Sequence, residues 1–455
     1  MTGLRGRVLK ADFIHAPERG HVEFLPGALL AVGEDGRIAA VTAADDPAHA
    51  AAEAAARAAG RLEALPAGRY VLPGLVDLHV HAPQYPQLGL ALDVPLEVWL
   101  GQYTFPLEAR YADLGFAREA YGTLVADLLA GGTTTALYFA TVHEEATKLL
   151  ADLCLAAGQR ALVGKVAMDD PAACPEDYRD ASPEAAVAGT RAVIDHVRGH
   201  PGNGEGLVRP VITPRFIPSC TDAALRGLGA LAAETGAHVQ THCSESDWAH
   251  GHALLRYGRT DAEALDGFGL LTRRTVLAHA NFLTDADMDR LAARGSGVAH
   301  CALSNAYFAN AVFPLRAALE KGVGVGLGTD ISGGPAASMF DAARQAVAAS
   351  RMLETGTDPR LPQAERGRPG SRIDLATAFH LATAGGGAVL DLPVGLFRPG
   401  YHFDALVVDA AAPAGGIRLF GETDPGAVLQ KIVYGASRAN LADVYVGGRR
   451  VAGTA

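Results

Sequence analysis

Apolar and polar positions alternate with a period of two near the start of the chain, in RVLKADFIH at 7–15 and GRIAAVTA at 36–43. Gly and Asp turns separate these runs, and the pattern predicts β-strands. The Ala-rich stretch from about 45 to 68 predicts a helix or a surface insertion.

From Tyr70 the pattern changes to short apolar runs alternating with helix-like segments, as expected for β/α units around a parallel sheet. Eight candidate strands follow: YVLPGLVDLHVH (70–81), GGTTTALYFAT (131–141), RALVGKVAMD (160–169), VRPVITPRF (208–216), AHVQTHCSE (237–245), TVLAHAN (275–281), GSGVAHCALSN (295–305) and VGVGLGTDISGG (323–334). Eight is the number that closes a TIM barrel. Beyond about residue 388 turn-rich strand patterns return, in LFRPGYHFDALVVDA, VLQKIVYG and NLADVYVGGRRVAG. Neither β-rich end has enough strands to bury a face alone, so the two should pair. The predicted architecture is therefore α/β: a distorted (β/α)8 barrel over 71–387, with a small β-sandwich domain built from 1–70 and 388–455. The Pro- and Arg-rich stretch at about 356–372 reads as a surface loop.

Composition narrows the partners. At 455 residues the chain exceeds the size at which one core usually stops growing. A net charge of -11 excludes broad affinity for nucleic acid or anionic membranes and favours a small-molecule ligand. Charges are scattered through the first twenty residues, and no run of about 18 apolar residues follows, so a soluble cytoplasmic protein is expected. Five cysteines, an odd number without a CxxC pair, suit reduced thiols.

The chemistry-bearing residues fall at the C-terminal ends of predicted strands, where such barrels place active sites. His79 and His81, two apart, leave one face of the first strand and can reach one metal ion. His242, His279 and Asp330 close the fifth, sixth and eighth strands. Any one of them alone reads as a residue satisfying backbone groups, but together they predict a metal site. Nitrogen ligands with one carboxylate suit zinc, and iron(II) is a second possibility. The fourth strand, VITPRF, has no lysine to bridge a second metal, and Lys165 reads as an ion-pair partner, so one metal per chain is expected. Glu245, just past the strand that carries His242, is the leading proton shuttle. Cys243 should face away from the site by strand alternation. The absence of a PCxxC motif excludes the unrelated fold of zinc deaminases that depends on it.

These motifs resemble the amidohydrolase superfamily. HAPQY (81–85), WLGQYTFPLEARY (99–111), GTTTALYFAT (132–141), GQRALVGKVAMD (158–169) and ITPRF (212–216) are similar to the guanine deaminases within it. The resemblance covers about residues 8 to 452 and implies hydrolytic deamination of guanine at C2 to xanthine and ammonia, usually by a homodimer. It makes His79, His81, His242 and Asp330 the ligands of one zinc ion, and Glu245, His279 and Asp330 the catalytic groups. Gln84, Arg215 and Phe216 join His81, His242, Glu245 and Asp330 in the purine pocket. Both Arg215 and Phe216 can face that pocket only if the fourth strand has ended by Arg215. The chain departs from the family at HCALSN, where a proline is expected after the cysteine.

Overall fold

The computed structural model describes residues 3–309 and 311–453. Eight parallel strands form the barrel: β1 (Leu75–His81), β2 (Thr133–Phe139), β3 (Arg160–Gly164), β4 (Val208–Pro214), β5 (His238–Cys243), β6 (Thr275–His279), β7 (Gly297–His300) and β8 (Gly324–Leu327). They are hydrogen-bonded in chain order. Just past β8 the chain returns to β1, where Asp330 N donates to His79 O at 2.8 Å and His81 N to Ile331 O at 2.9 Å, closing the ring.

Inward positions at the lower end hold Val76, Leu78, Leu137, Leu162, Val211, Val276 and Ala299, one buried apolar cluster. Outward positions such as Ile212, Cys243 and Leu277 join the layer packed against the helices. This alternation is what a sheet covered on both faces requires.

The two chain ends share one eight-stranded sheet, in the order 449–452, 441–446, 405–409, 69–73, 8–18, 21–32 and 38–42, with 62–64 beside 8–18. It encloses its own core, in which Phe13, Leu30, Phe397, Phe403 and Tyr445 meet. The small β-domain expected from the two chain ends is thus present, its strands joined in one curled sheet. Arg160, on β3, anchors it to the barrel: both its Nε and Nη2 donate to Asp404, at 2.9 and 3.2 Å, with both residues buried.

Three segments differ from their sequence reading. Residues 70–81 are two strands: Arg69–Pro73 pairs with 405–409 in the terminal sheet, and β1 begins only after Gly74. A Cβ on Gly74 would lie 2.1 Å from Thr134 Oγ1, so this crossing between sheets requires glycine. RALVGKVAMD is broken at Lys165, with Val166–Ala167 pairing separately against β4. VLQKIVYG is helical, within Pro425–Gly435. Its buried residues Val428, Leu429, Ile432 and Val433 recur at helical spacing, Asp424 caps it by accepting from Ala427 N, and Pro425 sits in the first turn. The Ala-rich segment contains a helix at His49–Ala58. No helix among the described residues is long and apolar enough to cross a membrane.

Candidate active site

The upper end of the barrel gathers His79, His81, His242, His279, Glu245 and Asp330 into one buried cluster. Local backbone irregularities aim them. In β1 a register shift between Asp77 and Val80 inserts an extra residue, so Val76 and Leu78 face inward below it and His79 and His81 do so above it. Such bulges re-aim side chains beside sites. In β6 Leu277 points outward, and strand alternation would send His279 the same way. His279 instead has φ of +68°, in the left-handed region, and its ring stacks 5.5 Å from that of His242. Asp330 and Ser244 also adopt positive φ, at 51° and 47°. Strained backbone of this kind persists where surrounding structure holds it and concentrates at functional sites.

The donor set fits a metal ion. His81 Nε2 and His242 Nε2 lie 2.9 Å apart, and His79 Nε2 is 3.1 Å from Asp330 Oδ1. His79 Nε2 and His279 Nε2 are buried and have no hydrogen-bond partner among the described residues. His242 Nδ1 donates to Arg215 O at 2.6 Å and His279 Nδ1 to Asn305 Oδ1 at 3.0 Å, so each presents an Nε2 lone pair to the cluster. Burial drives His79, His81 and His242 well below the usual histidine range, which keeps the rings neutral. His242 Nε2 thus faces His81 Nε2 as an acceptor at 2.9 Å, a separation at which both nitrogens can also share one cation. Both His79–His81–Asp330 and His79–His242–His279 converge closely enough to share one ion. His279 Nε2 therefore lies within reach of such an ion as well as beside Glu245, whose Oε1 is 3.6 Å away.

Lys165 stands apart, donating to Asp180 Oδ1 at 2.6 Å, and Cys243 is buried in the outer apolar layer. Among the carboxyls, burial pushes Glu245 up to about 8, with Asp330 adding to the rise and Arg215 opposing it. Asp330 is likewise raised, chiefly by burial.

A cleft opens beside the cluster. His81, Gln84, Arg215, Phe216, His242, Glu245 and Asp330 all line it. Strand β4 ends at Pro214, which frees both Arg215 and Phe216 to face the cleft. Phe216 packs edge-on to His242 at 6.1 Å and against Trp248 at 5.8 Å. Leu96, Trp99, Leu100 and Phe308 complete an apolar wall that sequence reasoning missed. Phe139, also missed, packs its ring 4.7 to 4.9 Å from those of His79, His81 and His242 and excludes water from behind them.

Glu108 is the most consequential omission. Fully buried in the helix Phe105–Ala109, it accepts from Arg215 Nη1 at 2.6 Å, Arg215 Nη2 at 3.2 Å and Gln84 Nε2 at 2.9 Å. Gln84 Oε1 in turn accepts from Ser332 N at 3.1 Å, so the carboxamide is fixed at both ends. A signal existed: a buried arginine needs a counter-charge, and Glu108 is the carboxylate inside the aromatic stretch WLGQYTFPLEARY.

Residues 70–451 match the amidohydrolase family. A probable guanine deaminase of Schizosaccharomyces pombe is 40% identical over 390 residues, 85% of this chain and 72% of that protein. The guanine deaminase of Homo sapiens is 34% identical over 98% of this chain and 96% of its own length. The crystal structure of guanine deaminase from C. acetobutylicum with bound guanine superposes with a TM-score of 0.86 at 28% identity, covering 98% and 99% of the two chains. The chain belongs to the amidohydrolase family, in the branch that holds the guanine deaminases.

Proposed function

We propose that this chain hydrolyses guanine to xanthine and ammonia, using one zinc ion held by His79, His81, His242 and Asp330. One observation carries the reading: hydrogen-bond donors suited to a purine edge, Arg215 and Gln84, open into the same cleft as the histidine–aspartate cluster and Glu245. The S. pombe and human relatives and the guanine-bound structure support the substrate. The three-histidine, one-carboxylate donor set supports zinc, with iron(II) the second choice.

A dication bound there would act as a Lewis acid on water and so lower the cost of hydrolysis near neutral pH. The remaining work falls to the chain's own side chains. Guanine presents acceptors at O6 and N7, which the N–H groups of Arg215 left free by Glu108 and the carboxamide of Gln84 can bond. Phe216 covers a ring face. Glu245, raised to about 8, holds a proton near neutral pH and can deliver it to ring N3 as water adds to C2. Asp330 and His279 lie within reach of each other and of Glu245, and accept the proton that the water loses. Glu245, now a carboxylate, takes the hydroxyl proton of the C2 adduct and passes it to the departing amine, and the proton held by Asp330 and His279 then restores Glu245. One water is consumed and one ammonia leaves.

Five buried, unbridged cysteines support a cytoplasmic setting. The homodimer expected from the family resemblance is part of the same proposal. The substrate reading is tested by incubating the purified, metal-assayed protein with guanine, adenine, 2-aminopurine and a set of aminopterins while measuring ammonia. Adenine has no C2 amine and should release no ammonia, whereas a site built to bond O6 should favour guanine by about 10⁴ to 10⁵ over 2-aminopurine, which keeps that amine but lacks O6. Comparable rates on guanine and 2-aminopurine would remove Arg215 from that edge.

A further inference from the structure

Arg215 and Glu108 form a buried, two-point ion pair at one wall of the cleft, yet only Arg215 lines it. Burial alone would lower the basicity of Arg215, and Glu108 outweighs that and raises it. Apart from Glu108, the groups packed directly against the guanidinium carry no charge, although Glu245 and Asp330 across the cleft also feel Arg215. Burial pushes the Cys174 thiol up to about 12 and the Tyr178 phenol far above its ordinary value. Met168 Sδ lies 3.9 Å from Arg215 Nη1, and the Phe105 ring lies 5.0 Å from the guanidinium carbon. Glu108 is therefore the counter-charge of Arg215, while the acids facing the cleft itself, Glu245 and Asp330, stand beside the histidine cluster.

We propose that Glu108 is a positioning residue that sets the charge selectivity of the cleft. By cancelling Arg215 and bracing Gln84, it makes the purine-edge wall a neutral hydrogen-bonding surface instead of a cationic one. A lone buried arginine would attract anionic heterocycles strongly, because Coulomb interactions are poorly screened away from water. The proposal rests on the purine reading above and adds a consequence for turnover. Xanthine carries one more ring carbonyl than guanine and gives up a ring proton more readily. A cationic wall would therefore hold the product more tightly than the substrate, whereas a neutral wall admits the neutral substrate and releases the product.

The test compares two purine ligands of fixed charge at neutral pH, urate as a monoanion and hypoxanthine as a neutral molecule. Binding of each to metal-loaded protein is measured by calorimetry, which needs no turnover. Glu108→Gln keeps shape and an acceptor but removes the charge. Its affinity for urate relative to hypoxanthine should rise at least about tenfold over wild type, one unit of charge being uncompensated close to the ligand. The KM for guanine should also rise as the Arg215 fork loosens. Glu108→Asp, which keeps the charge, should retain the wild-type ratio. If Glu108→Gln does not fold, the Glu108→Gln/Arg215→Gln double variant, neutral on both sides, should again show the wild-type ratio. An unchanged urate preference in folded Glu108→Gln, or a tenfold change in the double variant, overturns the proposal and leaves the purine reading standing. Failure of wild-type protein to bind either purine overturns both.

Discussion

Replacing Glu245 with glutamine separates proton transfer from metal binding, because the proposed reading gives the two jobs to different atoms. Asn281 Nδ2 holds the Glu245 backbone carbonyl at 2.8 Å, a contact the substitution leaves intact. The Glu245 carboxyl approaches the cluster at His279, 3.6 Å away, while His79, His81, His242 and Asp330 converge without it. Glutamine preserves volume and a carbonyl acceptor, but it cannot release or take up a proton near neutral pH. A positioned carboxyl is worth about 10² to 10⁴ in rate. At ~1.4 kcal/mol per factor of ten, Glu245→Gln should thus raise the barrier by about 3 to 6 kcal/mol. The loss should fall on kcat, with KM for guanine changed less, since Gln84, Arg215 and Phe216 still hold the ring. The assays are metal content by mass spectrometry and turnover by xanthine formation. Metal loss matching that of a ligand variant would make Glu245 a ligand. Retention of most turnover would route the proton through another group and refute the relay.

His242→Ala should lose metal and activity together, in contrast to Glu245→Gln, and metal analysis of the two variants side by side checks this. Asp404→Ala strands the buried Arg160 and also removes the acceptor for Gly447 N, so it should cost about 3 to 5 kcal/mol in denaturant unfolding. His238, on β5, has its pKa lowered from 6.5 to about 4 by burial, while its Nε2 donates to Leu390 O at 2.9 Å. Below pH 6.5 the unfolded chain takes up a proton that the folded one refuses, so stability is full above that value and falls as pH drops towards 4. The loss approaches about 3 kcal/mol, and His238→Gln should flatten this part of the stability curve.

The parts of the site that were legible in the sequence share one property: each residue's role follows from its position along a strand. His79 and His81 at spacing two, and His242, His279 and Asp330 at strand ends, are where period-two geometry and barrel topology converge, whereas Gln84, Arg215 and Phe216 were carried over from the family resemblance. What escaped depends on contacts or backbone states that no local pattern encodes. His279 itself was read as a site residue from its strand end, but the left-handed backbone that turns it inward was not. Glu108 lies 107 residues from Arg215, and in the sequence it looks like any helical carboxylate. Trp99 and Phe308 meet at 5.1 Å across segments that read separately as ordinary apolar positions. The break at Gly74 was hidden because two strands of different sheets run on with a single residue between them. VLQKIVYG was ambiguous for a different reason: eight residues rich in β-branched and aromatic side chains satisfy a strand pattern, and the deciding cap, Asp424-Pro425, lies just outside the run.

The central claim, hydrolysis of guanine at C2 at the barrel's upper end, is tested most directly by running the reaction in ¹⁸O-labelled water and reading the product by mass spectrometry. The account predicts xanthine and ammonia in equal amounts, with one labelled oxygen at C2 and none gained at C6. Absence of xanthine from metal-loaded protein, or label at any position other than C2, would contradict it.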